Sequence, residues 1–278
     1  MKGKIIKNIS NDYTVLNNNN KYICKPCGKF RINNIKPLVG DIVEFDENNN
    51  YILKIEKRKN ELIRPSIANI DIAVIVTSTK KPDFDSFLLD KTLAIISYNN
   101  IEPIIYFTKL DLLNTTEKKE INKYIDYYRH IGYKVCTKPT ELMKLIKDKT
   151  IVFTGQSGAG KSTLLNKMDP TLSLKTDEIS EYLGRGKHTT RHTELYNVNN
   201  TYIADTPGFS KIDFQDMSKI DIRDNMKEMF DNLKNCKYKD CMHINEDGCY
   251  VIKLVNTGKI LPSRYKNYKL FIDRWLYD

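Results

Sequence analysis

The segment Gly155-Gln156-Ser157-Gly158-Ala159-Gly160-Lys161-Ser162, continued by Thr163, has the residue types and spacing of a loop that wraps a polyphosphate. Glycines let backbone N–H groups close around a β-phosphate, the lysine supplies positive charge to the β/γ oxygens, and the last hydroxyl ligates Mg²⁺. An apolar strand, Ile151–Thr154, precedes the loop and a helix follows, the context such a loop needs. Asp205-Thr206-Pro207-Gly208 ends another strand. There the carboxylate of Asp205 can reach the magnesium through water, and the Gly208 N–H can meet a γ-phosphate. Thr108-Lys109-Leu110-Asp111 offers base-reading chemistry. Asp111 can accept two hydrogen bonds from the N1–H and exocyclic amine of guanine, whereas adenine leaves the carboxylate unpaired. Selectivity of that kind reaches about 10⁴-fold, so GTP and GDP are favoured over adenine nucleotides. The plainer reading of Asp111 is a helix cap.

Between the phosphate loop and Asp205 lies Gly184-Arg-Gly-Lys-His188-Thr189-Thr190-Arg-His192. A threonine here can complete a magnesium shell and sense the γ-phosphate, and both Thr189 and Thr190 qualify. We place Thr189 with Ser162 and Asp205 around the metal, and Thr190 with Lys161 and His188 in the catalytic set. Many GTPases orient water with a glutamine just after DxxG; here that position is Phe209, which cannot do so. His188 is the candidate replacement, and unassisted hydrolysis is expected to be slow. A fifth guanine-contacting element is expected at Cys136–Lys138.

Cys236, Cys241, His243 and Cys249 form C-x4-C-x-H-x5-C, four ligands within 14 residues. In a cytoplasmic chain such a set holds one tetrahedral Zn²⁺ rather than disulfides. Cys24 and Cys27 make a lone CxxC without a second pair and read as buried or incidental thiols. From Arg264 to Trp275 aromatics interleave with basic residues. This is either an RNA-gripping pattern or a helix with its aromatics in the core and basic stems outside; the helical spacing favours the second.

The elements that position these groups follow from pattern. Residues 1–64 contain five short strands, Lys4–Ile9, Tyr13–Leu16, Tyr22–Lys25, Asp41–Phe45 and Tyr51–Ile55, broken by asparagine-rich turns. That fits an OB-fold barrel, although an SH3-like barrel has the same signature. From residue 65 strands and helices alternate: a strand at Ile70–Thr77, a helix at Asp83–Ser97, a strand at Ile101–Phe107, a helix at Glu117–Ile131 and a short strand near Tyr133–Cys136. This predicts a parallel sheet covered by helices, with ligands at the carboxyl ends of its strands. Thr193–Val198 and Thr201–Ala204 read as one antiparallel hairpin. After residue 216 the chain is helical, closing with Pro262–Tyr277.

The order of the motifs is informative in itself. A Ras-like GTPase runs phosphate loop, switch loop, hairpin, DxxG and then TKxD, whereas here TKLD comes first. The chain therefore reads as a circularly permuted Ras-like P-loop domain over residues 65–215, with an RNA-binding barrel at 1–64 and a helical zinc-binding domain at 216–278. Net charge is +10. Lysine plus arginine outnumber aspartate plus glutamate by 13 to 7 in residues 1–64, against 20 to 18 and 12 to 10 in the other two stretches. A basic β domain beside a nucleotide switch suggests an RNA partner. No run approaches a membrane span or a signal sequence, so a cytoplasmic chain is expected, and without a heptad or a long exposed apolar stripe a monomer is the default. A P-loop kinase would have no use for TKLD, and a nucleotide-holding RNA-binding module without turnover is the other alternative.

TKLD, GQSGAGKST, GRGKHTTRHTEL, DTPGF and C-x4-C-x-H-x5-C, in this order behind a small β domain, resemble the bacterial ribosome small-subunit-dependent GTPase A family along essentially the whole chain. The resemblance implies an OB-fold, a permuted GTPase domain and a zinc domain. It also implies a role in late maturation of the small ribosomal subunit, with that subunit and its rRNA as partners alongside assembly factors, and hydrolysis stimulated by the subunit.

Overall fold

A computed structural model describes residues 1–33, 35–62, 66–170, 194–198, 200–204, 213–214 and 217–273. The chain forms two compact units: residues 1–74 with 138–210, and 75–137 with 211–278.

The first unit opens with β1 (Lys2–Ile9), β2 (Asp12–Asn17), β3 (Asn20–Pro26), the single turn α1 (Lys29–Ile32), β4 (Ile42–Asp46) and β5 (Tyr51–Ile55). The strands close into a barrel in the order β1-β2-β3-β5-β4, the OB order, with β3 and β5 parallel. That parallel pair resolves the ambiguity with an SH3-like barrel. Alternation makes the core: Ile5, Tyr13, Val15, Cys24, Val43, Phe45 and Ile52 are buried while their neighbours face out. The asparagines act through backbone conformation. Asn18 and Asn19 both take positive φ, 45° and 71°, as a two-residue hairpin joining Asn17 to its partner Asn20 requires. Gly3 is obligatory because a Cβ there would meet Val15 Cγ1 at 2.5 Å. Beyond the barrel, the short strands β6 (Glu61–Leu62) and β7 (Ile67–Ala68) pair with each other. Arg58 grips the buried Asp41 with two bonds of 2.8 Å.

The same unit carries α4 (Pro139–Ile146), β11 (Thr150–Thr154), α5 (Lys161–Met168), β12 (Leu195–Val198) and β13 (Thr201–Ala204). Its strands run β11-β13-β12. β11 and β13 are parallel, and β12 and β13 form the expected hairpin.

The second unit contains most of β8 (Ile72–Ser78), α2 (Ser86–Tyr98), β9 (Glu102–Thr108), a 3₁₀ turn at Leu110–Leu112, α3 (Thr115–His130) and β10 (Lys134–Cys136). Its strands run β10-β9-β8, with β9 and β10 parallel. The chain finishes in α6 (Lys219–Asp224), α7 (Lys227–Leu233), α8 (Tyr250–Asn256) and α9 (Pro262–Asp273). Ala94 and Ile95 of α2 share a core with Met226, Met229, Val251, Tyr268 and Phe271 of this terminal region. Among the described residues no helix is long and apolar enough to cross a membrane.

Candidate functional site

β11 hands the chain to the phosphate loop in the first unit. Gly155, Gly158 and Gly160 take φ of 135°, 72° and 96°, values open to glycine and strained for other residues. They let the loop reverse without side chains filling its mouth. The Lys161 ammonium donates to the Gly155 carbonyl at 2.9 Å and the Gln156 carbonyl at 2.8 Å, so it lies across the loop. Ala159 N–H donates to Gln156 O at 3.2 Å, and Leu164 N–H to Gly160 O at 2.9 Å opens α5. Ser162 is buried in the first turn of that helix, whose N-terminal dipole attracts an anion.

The base-reading loop lies in the second unit, at the carboxyl end of β9. Thr108 O accepts from the Thr79 N–H at 3.2 Å and the Thr79 hydroxyl at 2.9 Å, and the Thr108 hydroxyl donates to Thr77 O at 3.3 Å. Lys109 turns in a left-handed conformation, φ 60°, and its ammonium donates to Lys81 O. Asp111 follows in the 3₁₀ turn, with Leu110 before it, and is exposed. The cap of α3 is Asn114. Its side chain accepts from the Glu117 N–H and the Glu117 carboxylate accepts from the Asn114 N–H, both at 2.9 Å. Lys80 reaches both Glu117 oxygens at 2.8 and 2.9 Å. The capping alternative for Asp111 therefore falls, and its carboxylate faces outward from a loop braced on both sides.

Cys136 is the buried last residue of β10, and Lys138 directly precedes α4. That helix was not expected. Its sequence signals were Pro139 at the first position and Glu141, whose carboxylate accepts from the Lys138 N–H at 3.4 Å, followed by buried Leu142 and Ile146. Gly184–His192, including His188, Thr189 and Thr190, and Asp205, Gly208 and Phe209 lie outside the described residues.

Cys236, Cys241, His243 and Cys249 bring one ligand atom each to within 4.8 Å of one another. His243 Nδ1 stands 3.3 Å from Cys249 Sγ and 3.6 Å from Cys236 Sγ. Tetrahedral zinc with its usual bond lengths would set S···N at about 3.5 Å. The ring's orientation agrees, because Nε2 lies 3.2 Å from Met229 O and, donating there, leaves Nδ1 free to coordinate. Backbone N–H groups of Tyr250 and Ile252 point at Cys236 and Cys249 Sγ at 3.3 and 3.5 Å. Burial pushes the Cys241 thiol up to about 12 and lowers His243. A divalent cation reverses the preference for protonated thiols, so the donor set suits zinc. Glu246 braces the loop by accepting from the Met242 and Ile244 N–H groups at 2.6 and 2.7 Å.

The barrel presents a different surface. β3 turns Lys21, Ile23 and Lys25 outward and β5 turns out Tyr51 and Leu53, with Lys25 and Tyr51 side by side in register. An open groove of about 470 Å³ borders Tyr51, Leu53, Cys27 and Gly28, with Asp46 and Asn49 on its polar side. Cys24 points into the barrel core, as a structural thiol does.

The terminal helix packs its aromatics inward, as their helical spacing favours: Tyr268 and Phe271 are core residues, and Arg264 in its first turn is also only 1 % exposed. Its guanidinium bonds Asp90 Oδ1 at 2.6 Å and Glu228 at 2.6 and 3.1 Å. The reason is partner geometry: two buried carboxylates from other helices converge on it. Nothing in the local sequence of α9 announces them.

A model of the RsgA N-terminal domain matches residues 2–52, and a model of the RsgA GTPase matches residues 55–215. The chain belongs to the RsgA GTPase family. It is 45% identical to the small ribosomal subunit biogenesis GTPase RsgA 2 of Oceanobacillus iheyensis, over 98% of this chain and 96% of that one. It is 43% identical to the RsgA of Enterococcus faecalis, over 98% and 94%. Among solved structures it is similar to YloQ, a circularly permuted GTPase, with a TM-score of 0.81 and 36% identity over 98% of this chain and 94% of that one. YjeQ from Thermotoga maritima gives 0.86 and 30% over 99% and 98%. The permuted order read from the motifs is thus that of the circularly permuted GTPase to which the chain is similar, and membership of a GTPase family implies a guanine nucleotide as ligand.

Proposed function

We propose that this chain hydrolyses GTP, binds the small ribosomal subunit through its rRNA and assists a late step of that subunit's maturation, turning over slowly alone and faster on the subunit. The reading rests above all on the lysine-crossed phosphate loop, in a chain whose relatives of nearly equal length are named for biogenesis of that subunit.

Gly155 to Gly160 would offer backbone N–H groups to the phosphates, with Lys161 moving from the loop carbonyls to the β/γ oxygens and Thr163 continuing the helix behind them. Asp111, with Thr108, Lys109 and Leu110 shaping its turn, would read the guanine edge. Ser162, Thr189 and Asp205 would hold Mg²⁺, which neutralises charge on the β and γ oxygens. Gly208 would report the presence of the γ-phosphate. With Phe209 in place of a water-orienting glutamine, His188 would hold the attacking water while Thr190 and Lys161 steady the phosphate. Cys236, Cys241, His243 and Cys249 would bind one Zn²⁺ as a structural knot.

The working modules are residues 1–64, 65–215 and 216–278. Lys21, Ile23, Lys25 and Tyr51 suit rRNA, lysines to phosphates and tyrosine to a base. GTP would order the Gly184–His192 loop and the stretch after Gly208, so that barrel and zinc module grip RNA together, and GDP would loosen that grip. The chain would act as a monomer in the cytoplasm, exchanging with assembly factors on the subunit. Filtration binding to purified small subunits tests the switch. We expect tighter binding with a non-hydrolysable GTP analogue than with GDP, and equal affinity would contradict it.

A further inference from the structure

A buried cluster of charged side chains in the second unit joins α2, α7 and α9. Arg264, Asp90 and Glu228 are each nearly inaccessible. Tyr128 OH and Asn267 Nδ2 also donate to Asp90, the latter at 2.7 Å, and Tyr127 OH donates to Glu228 at 2.8 Å. Every charge is thus paired and hydrogen-bonded, which is what burying it demands. A set of apolar residues would be about as stable, so stability alone does not account for it. What the charges add is a fixed register between helices.

The helices involved are specific. α9 presents two pairs spaced i, i+3. Arg264 and Asn267 face Asp90 on α2 and Glu228 on α7. Tyr265 and Tyr268 donate to carbonyls of the metal-binding loop, Tyr265 to His243 O at 2.8 Å and Tyr268 to Met242 O. α7 repeats the arrangement. Glu228 holds Arg264, while the next residue, Met229, receives His243 Nε2. The metal loop and the charge cluster therefore share two helices. On the other side Tyr127 and Tyr128 belong to α3, whose first turn holds Glu117. Through Lys80, Glu117 braces the segment whose Lys81 carbonyl anchors Lys109 of the base-reading loop. A rigid helix carries the constraint about 16 Å along its axis.

We propose that Arg264 is a positioning residue for guanine recognition. Its forked bonds to Asp90 and Glu228 couple occupancy of the Cys236–Cys241–His243–Cys249 site to the base selectivity of the Thr108–Asp111 loop. The inference rests on the reading of Asp111 as the guanine acceptor and goes beyond it by adding a second ligand, the metal, to the same equilibrium. Losing the cation frees His243 from Met229 and the loop carbonyls from Tyr265 and Tyr268. Glu228 and Arg264 then lose their register, and α3 no longer holds the base-reading loop in place. Phosphate contacts come from the first unit's own loop, so the loss should fall on base discrimination. By reciprocity, guanine nucleotide should tighten metal retention by the same factor.

The test is calorimetry of GDP and ADP on the full chain, before and after stripping with a zinc-selective chelator and after adding zinc back. The GDP-to-ADP affinity ratio should fall about tenfold on stripping, within the usual range for coupled sites, and recover with zinc. ADP affinity should change less than about twofold. GDP, but not ADP, should slow transfer of zinc to a colorimetric chelator. Arg264→Lys keeps the charge but loses the fork; in it the ratio should start low and respond little to zinc. Asp90→Asn, which keeps shape while removing one charge, serves if that variant is insoluble. An unchanged ratio in the stripped wild-type chain would overturn the proposal, as would loss of both nucleotides together, which would mean general unfolding. A zinc-replete chain with no preference for GDP over ADP would instead remove the guanine reading, and the coupling with it.

Discussion

The outer face of the barrel and the terminal helix are built from the same kinds of residue and use them in opposite ways. On β3 and β5, Lys25 and Tyr51 stand side by side with Ile23 nearby, and Ile23 and Tyr51 are 66% and 46% exposed. On α9, Arg264, Tyr268 and Phe271 are at most 1% exposed. Period decides part of this. A strand covered on one side must send every second side chain to solvent, whereas a helix packed on α2 and α6 turns a broad face inward. Partners decide the rest, because Arg264 can be buried only where Asp90 and Glu228 meet it. Interleaved basic and aromatic residues therefore form an exposed face on the barrel, the face proposed for rRNA, and a structural lock on the helix.

The contrast can be broken most forcefully at Arg264. Arg264→Ala would leave two carboxylates buried without their cation, and we expect a loss of about 3–5 kcal/mol in stability by denaturant unfolding. A loss under about 1 kcal/mol would mean the helix is as free as the barrel face. Tyr51→Ala sharpens the other side. Affinity for small subunits should fall by about 1–3 kcal/mol, the worth of one stacked base, while the melting temperature stays put. A lowered melting temperature with unchanged subunit affinity would make Tyr51 a core residue instead. The smallest effect is expected for Lys25→Ala, which should flatten the dependence of log affinity on log salt by about 0.7 to 0.9, one released counterion. An unaltered slope would place Lys25 off the RNA.

Much of this was legible from residues alone where function is concentrated in a short stretch. The phosphate loop declares itself because three glycines, a lysine and a serine act through backbone and charge at fixed spacing. The zinc set does so because its four ligands lie within 14 residues. The barrel strands were readable from alternation, although only the parallel β3–β5 pair gave the OB order. The Arg264 cluster was not readable, since its partners lie 174 and 36 residues away and burial of a charge depends on all three at once. α4 escaped because at eight residues it offers few turns of apolar period, and its signature was confined to Pro139 and Glu141. The alternative role for Asp111 fell only when Asn114 was seen to cap α3.

The central claim is that a guanine nucleotide pocket in this chain is completed by the small ribosomal subunit. Phosphate release from GTP, followed with and without purified small subunits at matched magnesium and zinc, addresses it directly. Turnover should be slow for the chain alone and rise at least tenfold when subunits are added, in keeping with a partner-supplied part of the hydrolytic site. The same slow rate in both arms, with the chain shown to be bound to the subunit, would contradict it.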